Sequence, residues 1–200
     1  MKKIINYWQQ IADEGKTELD KIGSESWLKK AIRYQEIHNL MHFAKSVHDV
    51  GCATGGFYEY IKDCNIEYIG SDLLKCHIDE AKKKYGNKFK VLNILKDKVE
   101  PADYFVMSGL FFRKQGLSHN EMKDLFYNMI IKAFELCRKG VIFNLLDIYA
   151  NYTNQCNWYI DLHYVNSIIT ELSGNAKIVL KNREFTVAIY KKNIKNEALK

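Results

Sequence analysis

One proline and no serine- or glycine-rich stretch occur in this 200-residue chain, so the sequence leaves no place for a flexible linker. Its five cysteines, Cys52, Cys64, Cys76, Cys137 and Cys156, include no CxxC pair and no histidine at zinc-finger spacing. A structural zinc site is thereby excluded, and no metal is expected. An odd cysteine count in a chain of this size fits reduced thiols in a cytoplasm. No apolar run approaches the roughly 20 residues that span a bilayer. Asn6, Gln9, Gln10 and Asp13 break any signal-peptide core after Met1-Lys2-Lys3-Ile4-Ile5. These absences describe one soluble, cytoplasmic domain with no membrane partner.

Lysine and arginine total 30 against 24 acids, a net charge of +6. The lysines are spread among acids and cluster only at Lys82-Lys83-Lys84 and in the tail, without aromatic interleaving. That footprint is weak and argues against a nucleic-acid partner. Nothing in the pattern sets the number of subunits.

A polar leader over 1–23 precedes a helix that Ser24 can cap and that runs to about Ala44. Trp27, Ala31, Tyr34, His38 and Met41 share one of its faces. The period then changes. Ser46–Val50 reads as a strand ending at Gly51, followed by helix (56–63), strand (66–71), helix (75–85) and strands at 88–92 and 103–108. Ser118 and Glu121 have the form of a capping box. Behind them, Met122, Leu125, Phe126, Met129, Ile130, Ala133, Phe134 and Cys137 make one apolar stripe. Val141–Leu146 reads as a strand covered on both faces. A last helix near 160–172 and strands at 177–180 and 185–190 follow, with a tail over 192–200.

Strands alternating with helices predict an α/β fold, a doubly wound, mostly parallel seven-stranded sheet with helices on both faces and an N-terminal helix. The final four-residue connection cannot hold a crossover helix, so the chain must close in an antiparallel hairpin. In such sheets ligands bind at the carboxyl ends of the strands, near the point where the strand order reverses. The most glycine-dense segment, Asp49-Val50-Gly51-Cys52-Ala53-Thr54-Gly55-Gly56, falls at such an end, and Asp72 ends the next strand, 21 residues beyond Gly51. Glycines let the backbone turn sharply against a ligand, and a carboxylate at Asp72 can accept both hydroxyls of a ribose.

The segment also reads as GxAxxG, close to a dinucleotide fingerprint. Asp49 beside a pyrophosphate, the closing hairpin and the lack of chain for a substrate domain argue against NAD.

Asp49-Val50-Gly51-Cys52-Ala53-Thr54-Gly55 resembles the acid-x-Gly-x-Gly-x-Gly signature of class I, Rossmann-like S-adenosylmethionine-dependent methyltransferases, with Ala53 in place of the middle glycine. The resemblance spans about Ser24 to Lys191, so the methyltransferase domain is set at 24–191, and is closest to small stand-alone bacterial members. It includes Tyr68-Ile69-Gly70-Ser71-Asp72-Leu73, Leu92-Asn93-Ile94-Leu95 and Asp103-Tyr104-Phe105-Val106-Met107-Ser108-Gly109-Leu110-Phe111. It implies S-adenosyl-L-methionine as cofactor, leaving as S-adenosyl-L-homocysteine. Asp49, Gly51 and Gly55 would hold its methionine end, with Arg33 reaching the carboxylate, and Cys52, Ala53 and Phe57 would be further cofactor-binding residues. Asp72 would hold the ribose, Leu73, Asn93 and Ile94 the adenine, and Ser108 and Gly109 the sulfonium.

An oxygen acceptor is helped by a base of near-neutral pKa. Asp147, at the end of the fifth strand, and His163, beyond it, are the candidates, with His38 and His119 read as core or surface histidines. Tyr149, Tyr152, Trp158 and Tyr159 can form an acceptor wall or simply pack. No Asn-Pro-Pro-Tyr or Asp-Pro-Pro-Tyr block follows the fourth strand, which speaks against amino methylation of bases or glutamine. The expected acceptor is a small molecule, a metabolite or sugar building block for surface glycans, methylated at oxygen. The competing readings are an RNA methyltransferase and a methyltransferase-like binding module without turnover.

Overall fold

The computed structural model describes residues 1–23, 26–149, 154–181 and 183–192. Three helices come first: α1 (Lys2–Glu14), α2 (Glu18–Lys21) and α3 (Trp27–Leu40). Strands and helices then alternate as β1 (Ser46–Val50), α4 (Gly56–Ile61), β2 (Glu67–Asp72), α5 (Lys75–Tyr85), β3 (Phe89–Val91) and β4 (Tyr104–Met107). The chain ends with α6 (His119–Leu136), β5 (Gly140–Asp147), the short β6 (Tyr159–Ile160), α7 (Leu162–Leu172), β7 (Ala176–Lys181) and β8 (Glu184–Tyr190).

The sheet order is β3-β2-β1-β4-β5-β8-β7, with β6 attached beside β5. Strands β1 to β5 are parallel, whereas β8 runs antiparallel to both β5 and β7. The expected seven-stranded path and closing hairpin are therefore present, with two-residue β6 as an addition. β1 pairs with β2 on one side and β4 on the other, so the strand order reverses there. That reversal opens a crevice at the carboxyl ends.

Two apolar layers cover the sheet. Phe105 and Met107 of β4 and Val141, Phe143 and Leu145 of β5 pack with Phe126 and Ile130 of α6 and Val165 of α7. Tyr104, Val106 and Ile142 point the other way, onto Tyr34 and Ile37 of α3, Phe57 of α4 and Ile78 of α5. Burial on both faces explains why these strands read as continuous apolar runs.

Local signals set most element ends. The Ser118 side chain accepts from the Glu121 N–H while Glu121 returns to the Ser118 N–H, so the capping box that opens α6 is real. Helix α3 starts later than its sequence suggests. Ser26, not Ser24, caps it by accepting from the Leu28 N–H at 3.2 Å; Ser24 lies outside the described residues.

The first 23 residues carry more structure than a polar leader. Ile4 and Ala12 of α1 are buried, and α2 opens with a capping box of Thr17 and Asp20. The Trp8 indole N–H donates to Gln115 at 3.0 Å, and Lys3 pairs with Glu121 at 2.9 Å. Glu18 accepts from Thr54 at 2.9 Å and pairs with Lys84 at 2.6 Å. This segment is fastened over the carboxyl ends of the strands.

Candidate functional site

Strand β1 delivers the chain into a turn built on positive φ angles, 76° at Gly51, 47° at Ala53 and 89° at Gly55. Such angles are easy for glycine and strained for alanine. The turn is tied to the neighbouring strand, since Gly51 and Cys52 both donate to the Ser71 carbonyl, at 2.7 and 3.0 Å. A Cβ on Gly51 would lie 2.6 Å from Leu110 Cδ1, so this position also needs glycine for space.

Asp72, at the end of β2, completes the bend. Its Oδ2 accepts from the Ala53 N–H at 3.0 Å and its Oδ1 from the Leu74 N–H at 2.9 Å. Each oxygen keeps acceptor capacity on the side facing the crevice. His77 Nδ1 stands 3.7 Å from Oδ1. Burial works against a charged His77, but Asp72 outweighs it and holds the imidazole pKa above its usual value.

Around this bend lies a cavity enclosing about 950 Å³, part of it open to solvent. Gly51, Ala53 and Asp72 form its floor, Leu73, Asn93 and Ile94 one wall, and Ser108 and Gly109 the far end. Met1 and, on α1, Ile4, Ile5 and Trp8 form the roof. The Asn93 Oδ1 accepts from the Leu95 N–H at 3.0 Å, which fixes the amide at the end of β3. A slot of leucines, isoleucine and methionine beside a ribose-type carboxylate fits a flat heterocycle carried on a sugar.

Asp49, near the end of β1, is buried and lines neither cavity, and its Oδ2 accepts from the Tyr68 hydroxyl at 2.7 Å. Burial pushes its pKa up to about 7, against the lowering effects of Tyr68 and Lys30. The Lys30 ammonium is pulled down to about 8, first by burial and then by Arg33. An acid whose pKa burial raises near an amine whose pKa burial lowers is a setting that a ligand with an ammonium and a carboxylate would complete.

A second cavity of about 1220 Å³, also partly open, adjoins the first. The two share Trp8, Ile22, Lys30, Ser108 and Gly109. Its walls are stitched together by backbone bonds: Trp158 N–H to the Phe112 carbonyl (2.8 Å) and Lys114 N–H to the Cys156 carbonyl (2.9 Å).

Several sequence candidates stand elsewhere. The Cys52 side chain is buried and donates to the Ala53 carbonyl, and Phe57 packs 5.4 Å from the Tyr34 ring. Neither lines a cavity, because each points under the turn into the core between α3, α4 and the sheet. Gly55 caps α4 and is hemmed in by Phe89 and Tyr85, so its place in the turn is a packing one. Arg33 lines only the second cavity, where its Nε donates to Glu184 at 2.9 Å. Lys30, three residues earlier, lines both cavities.

The expected bases are also displaced. Asp147 accepts from the Tyr149 N–H at 3.0 Å and lines neither cavity. His163 is exposed on α7. Its N–H is held by the Asp161 cap at 2.8 Å, and it too is absent from both linings. Of the aromatic wall, Tyr159 lines the second cavity, Trp158 is core, Tyr149 is exposed and Tyr152 lies outside the described residues. The residues that sequence reasoning missed are Lys30, Gln115, Arg113 and the apolar side of α1. The spacing of Ile4, Ile5 and Trp8 was the available signal.

No protein-family profile and no curated protein matches the sequence. Solved structures do resemble the chain. Magnesium protoporphyrin IX methyltransferase from Synechocystis PCC 6803, crystallised with bound SAH, aligns at TM-score 0.62 and 13% identity over 93% of each chain. A SAM-dependent methyltransferase from Archaeoglobus fulgidus aligns at 0.66 and 14%, over 86% of this chain and 97% of that one. The CcbJ methyltransferase from Streptomyces caelestis gives 0.64 and 11%, over 94% and 97%. The chain has the fold of the class I, Rossmann-like S-adenosylmethionine-dependent methyltransferases.

Proposed function

We propose that this protein is an S-adenosylmethionine-dependent methyltransferase that methylates a small molecule at oxygen, a metabolite or sugar building block. One observation carries the reading: two cavities, one with a ribose-type acid and an apolar slot, meet at Ser108, Gly109 and Lys30. A transferase for two small ligands needs that arrangement, a donor compartment and an acceptor compartment sharing one wall. The matching folds include an enzyme named for a porphyrin substrate.

In this reading Asp72 holds the ribose hydroxyls, Asp49 faces the methionine ammonium and Lys30 the methionine carboxylate. Leu73, Asn93 and Ile94 enclose the adenine. Bound S-adenosylmethionine supplies a sulfonium methyl; transfer forms a carbon–oxygen bond, breaks the carbon–sulfur bond with its electron pair kept by sulfur, and releases the acceptor's proton to solvent. The chain's own part is to align the two ligands and exclude water, which suits a reaction whose reactivity resides in the cofactor. Trp8 and the rest of the α1 roof serve that exclusion. Lys84 of the α5 triplet is engaged by Glu18 and Glu80, which reduces the free charge of that triplet.

Calorimetric titration with S-adenosylhomocysteine, with NAD as the parallel ligand, tests this. Binding of the first and not the second is the expected result, and the reverse order would discard the proposal.

A further inference from the structure

The two cavities meet along Trp8, Ile22, Lys30, Ser108 and Gly109, and among the described residues only Lys30 is a titratable side chain on that shared wall. Its ammonium rests against two aromatic rings, 5.9 Å from the Trp27 centroid and 5.5 Å from that of Tyr34. Burial, and then Arg33, pull its pKa down to about 8, and the attraction of Asp49 and Glu18 does not make up the difference. An ammonium short of solvation gains from an oxyanion brought beside it.

The second cavity is poor in groups that could take a proton from an acceptor. Neither Asp147 nor His163 lines it, and Glu184, the one carboxylate in its lining among the described residues, is engaged by the Arg33 Nε at 2.9 Å. A hydroxyl methylated there must be acidic in itself. A phenol ionises at about pH 10, within reach of one neighbouring cation, whereas a sugar hydroxyl is far weaker as an acid. The remaining lining suits a ring. Trp8, Phe112 and Tyr159 are half-buried and turn aromatic surface to the cavity. The Tyr159 oxygen accepts from the Asn154 N–H at 2.8 Å and from the Asn157 amide at 3.4 Å. Its own hydrogen goes to no acceptor among the described residues, and so is left for a ligand.

We propose that the acceptor is a phenol, its reacting oxygen held as phenolate by Lys30 at the shared wall and a second oxygen-bearing group on its ring accepting from Tyr159. This rests on the methyltransferase reading and selects the metabolite over the sugar. An ammonium has three N–H donors, so Lys30 can face the methionine carboxylate and the phenolate together. The hydroxyl proton leaves to solvent, the phenolate oxygen bonds to the methyl carbon, and the electron pair of the broken carbon–sulfur bond stays on sulfur. Lys30 then acts by favouring the ionised acceptor.

The test titrates 4-nitrophenol, whose phenolate absorbs visible light, and the non-acidic 4-nitrobenzyl alcohol into the protein saturated with S-adenosylhomocysteine. The nitrophenol is expected to bind more tightly, and in the complex to ionise at a pH lower by about one than when free, the effect of an adjacent opposite charge. The charged groups around Lys30 are Arg33 of α3, Glu18 of α2 and Asp49 of β1, so Lys30→Met is the deciding variant. With the cofactor product again saturating, it should return the ionisation to the pH of the free phenol. Tyr159→Phe keeps the ring and should weaken nitrophenol about threefold to tenfold, the scale of one lost hydrogen bond. It should leave S-adenosylhomocysteine affinity within about twofold, since Tyr159 lines only the second cavity. No binding of nitrophenol at millimolar concentration, equal binding of the benzyl alcohol, tighter binding of 4-nitrobenzoate, or an ionisation that Lys30→Met leaves unmoved would overturn the phenol proposal alone. Failure of S-adenosylhomocysteine to bind would instead overturn the methyltransferase reading, and the acceptor role with it.

Discussion

Asp49 offers the most direct test of the site's electrostatics. Its carboxyl is buried and its pKa stands at about 7 in the folded chain against an ordinary 3.8. Between these two values the unfolded chain has lost the Asp49 proton while the folded chain keeps it. The folded state therefore binds more protons, and stability falls as pH rises through that window. At about 1.36 kcal/mol per pKa unit, the contribution present below 3.8 and lost above about 7 is on the order of 4 kcal/mol. Asp49→Asn removes the titration and keeps an oxygen for the Tyr68 hydroxyl, now 2.7 Å from Oδ2. Urea unfolding of both proteins across the window should show the variant gaining on the wild type as pH rises and exceeding it above about 7. S-adenosylhomocysteine affinity should move oppositely. The variant loses an interaction with the ligand ammonium, a charged hydrogen bond of about 1.5–3 kcal/mol. The wild-type affinity should climb as Asp49 ionises and decline above about 8 as Lys30 discharges. A stability difference that stays flat with pH would refute the assignment of a buried, ionisable acid near the end of β1.

Three further outcomes are expected. Asp72→Ala strips both the Ala53 and Leu74 N–H groups of their acceptor; calorimetry should show S-adenosylhomocysteine binding weakened by roughly 1.5–3 kcal/mol, and unchanged binding would remove Asp72 from the site. Ala53→Gly relieves a left-handed alanine at φ 47° and should raise the urea midpoint by about 0.5–1 kcal/mol of stability; a lowered midpoint would contradict the strain argument. Lys30→Met should cost S-adenosylhomocysteine about tenfold in affinity, whereas Arg33→Gln should cost much less, because only Lys30 lines the donor cavity. Equal losses would return Arg33 to the role the sequence suggested.

The strands, their parallel order and the closing hairpin were readable because their signals are local. Gly51 and Gly55 mark the turn, Ser118 and Glu121 open α6, and apolar runs at β4 and β5 announce burial on both faces. Asp72 was readable as well, since strand-end chemistry depends on a short stretch of chain. Helix α1 was less visible: its lysines, asparagine and glutamines hide a narrow apolar stripe that gains meaning only over the cavity.

Side-chain direction was not legible. Lys30 and Arg33 share a helix and a charge, yet Lys30 lines both cavities while Arg33 lines only the second, where it pairs with Glu184. His163 follows β5 in sequence but is carried outward by α7, and Cys52 sits in the signature while its thiol turns into the core. Backbone bends and strand order follow from neighbouring residues, so the sequence alone determined them. The cavity walls bring together residues as far apart as Trp8, Ser108 and Glu184. Which groups meet across such separations is decided by packing, and only the tertiary structure contains it.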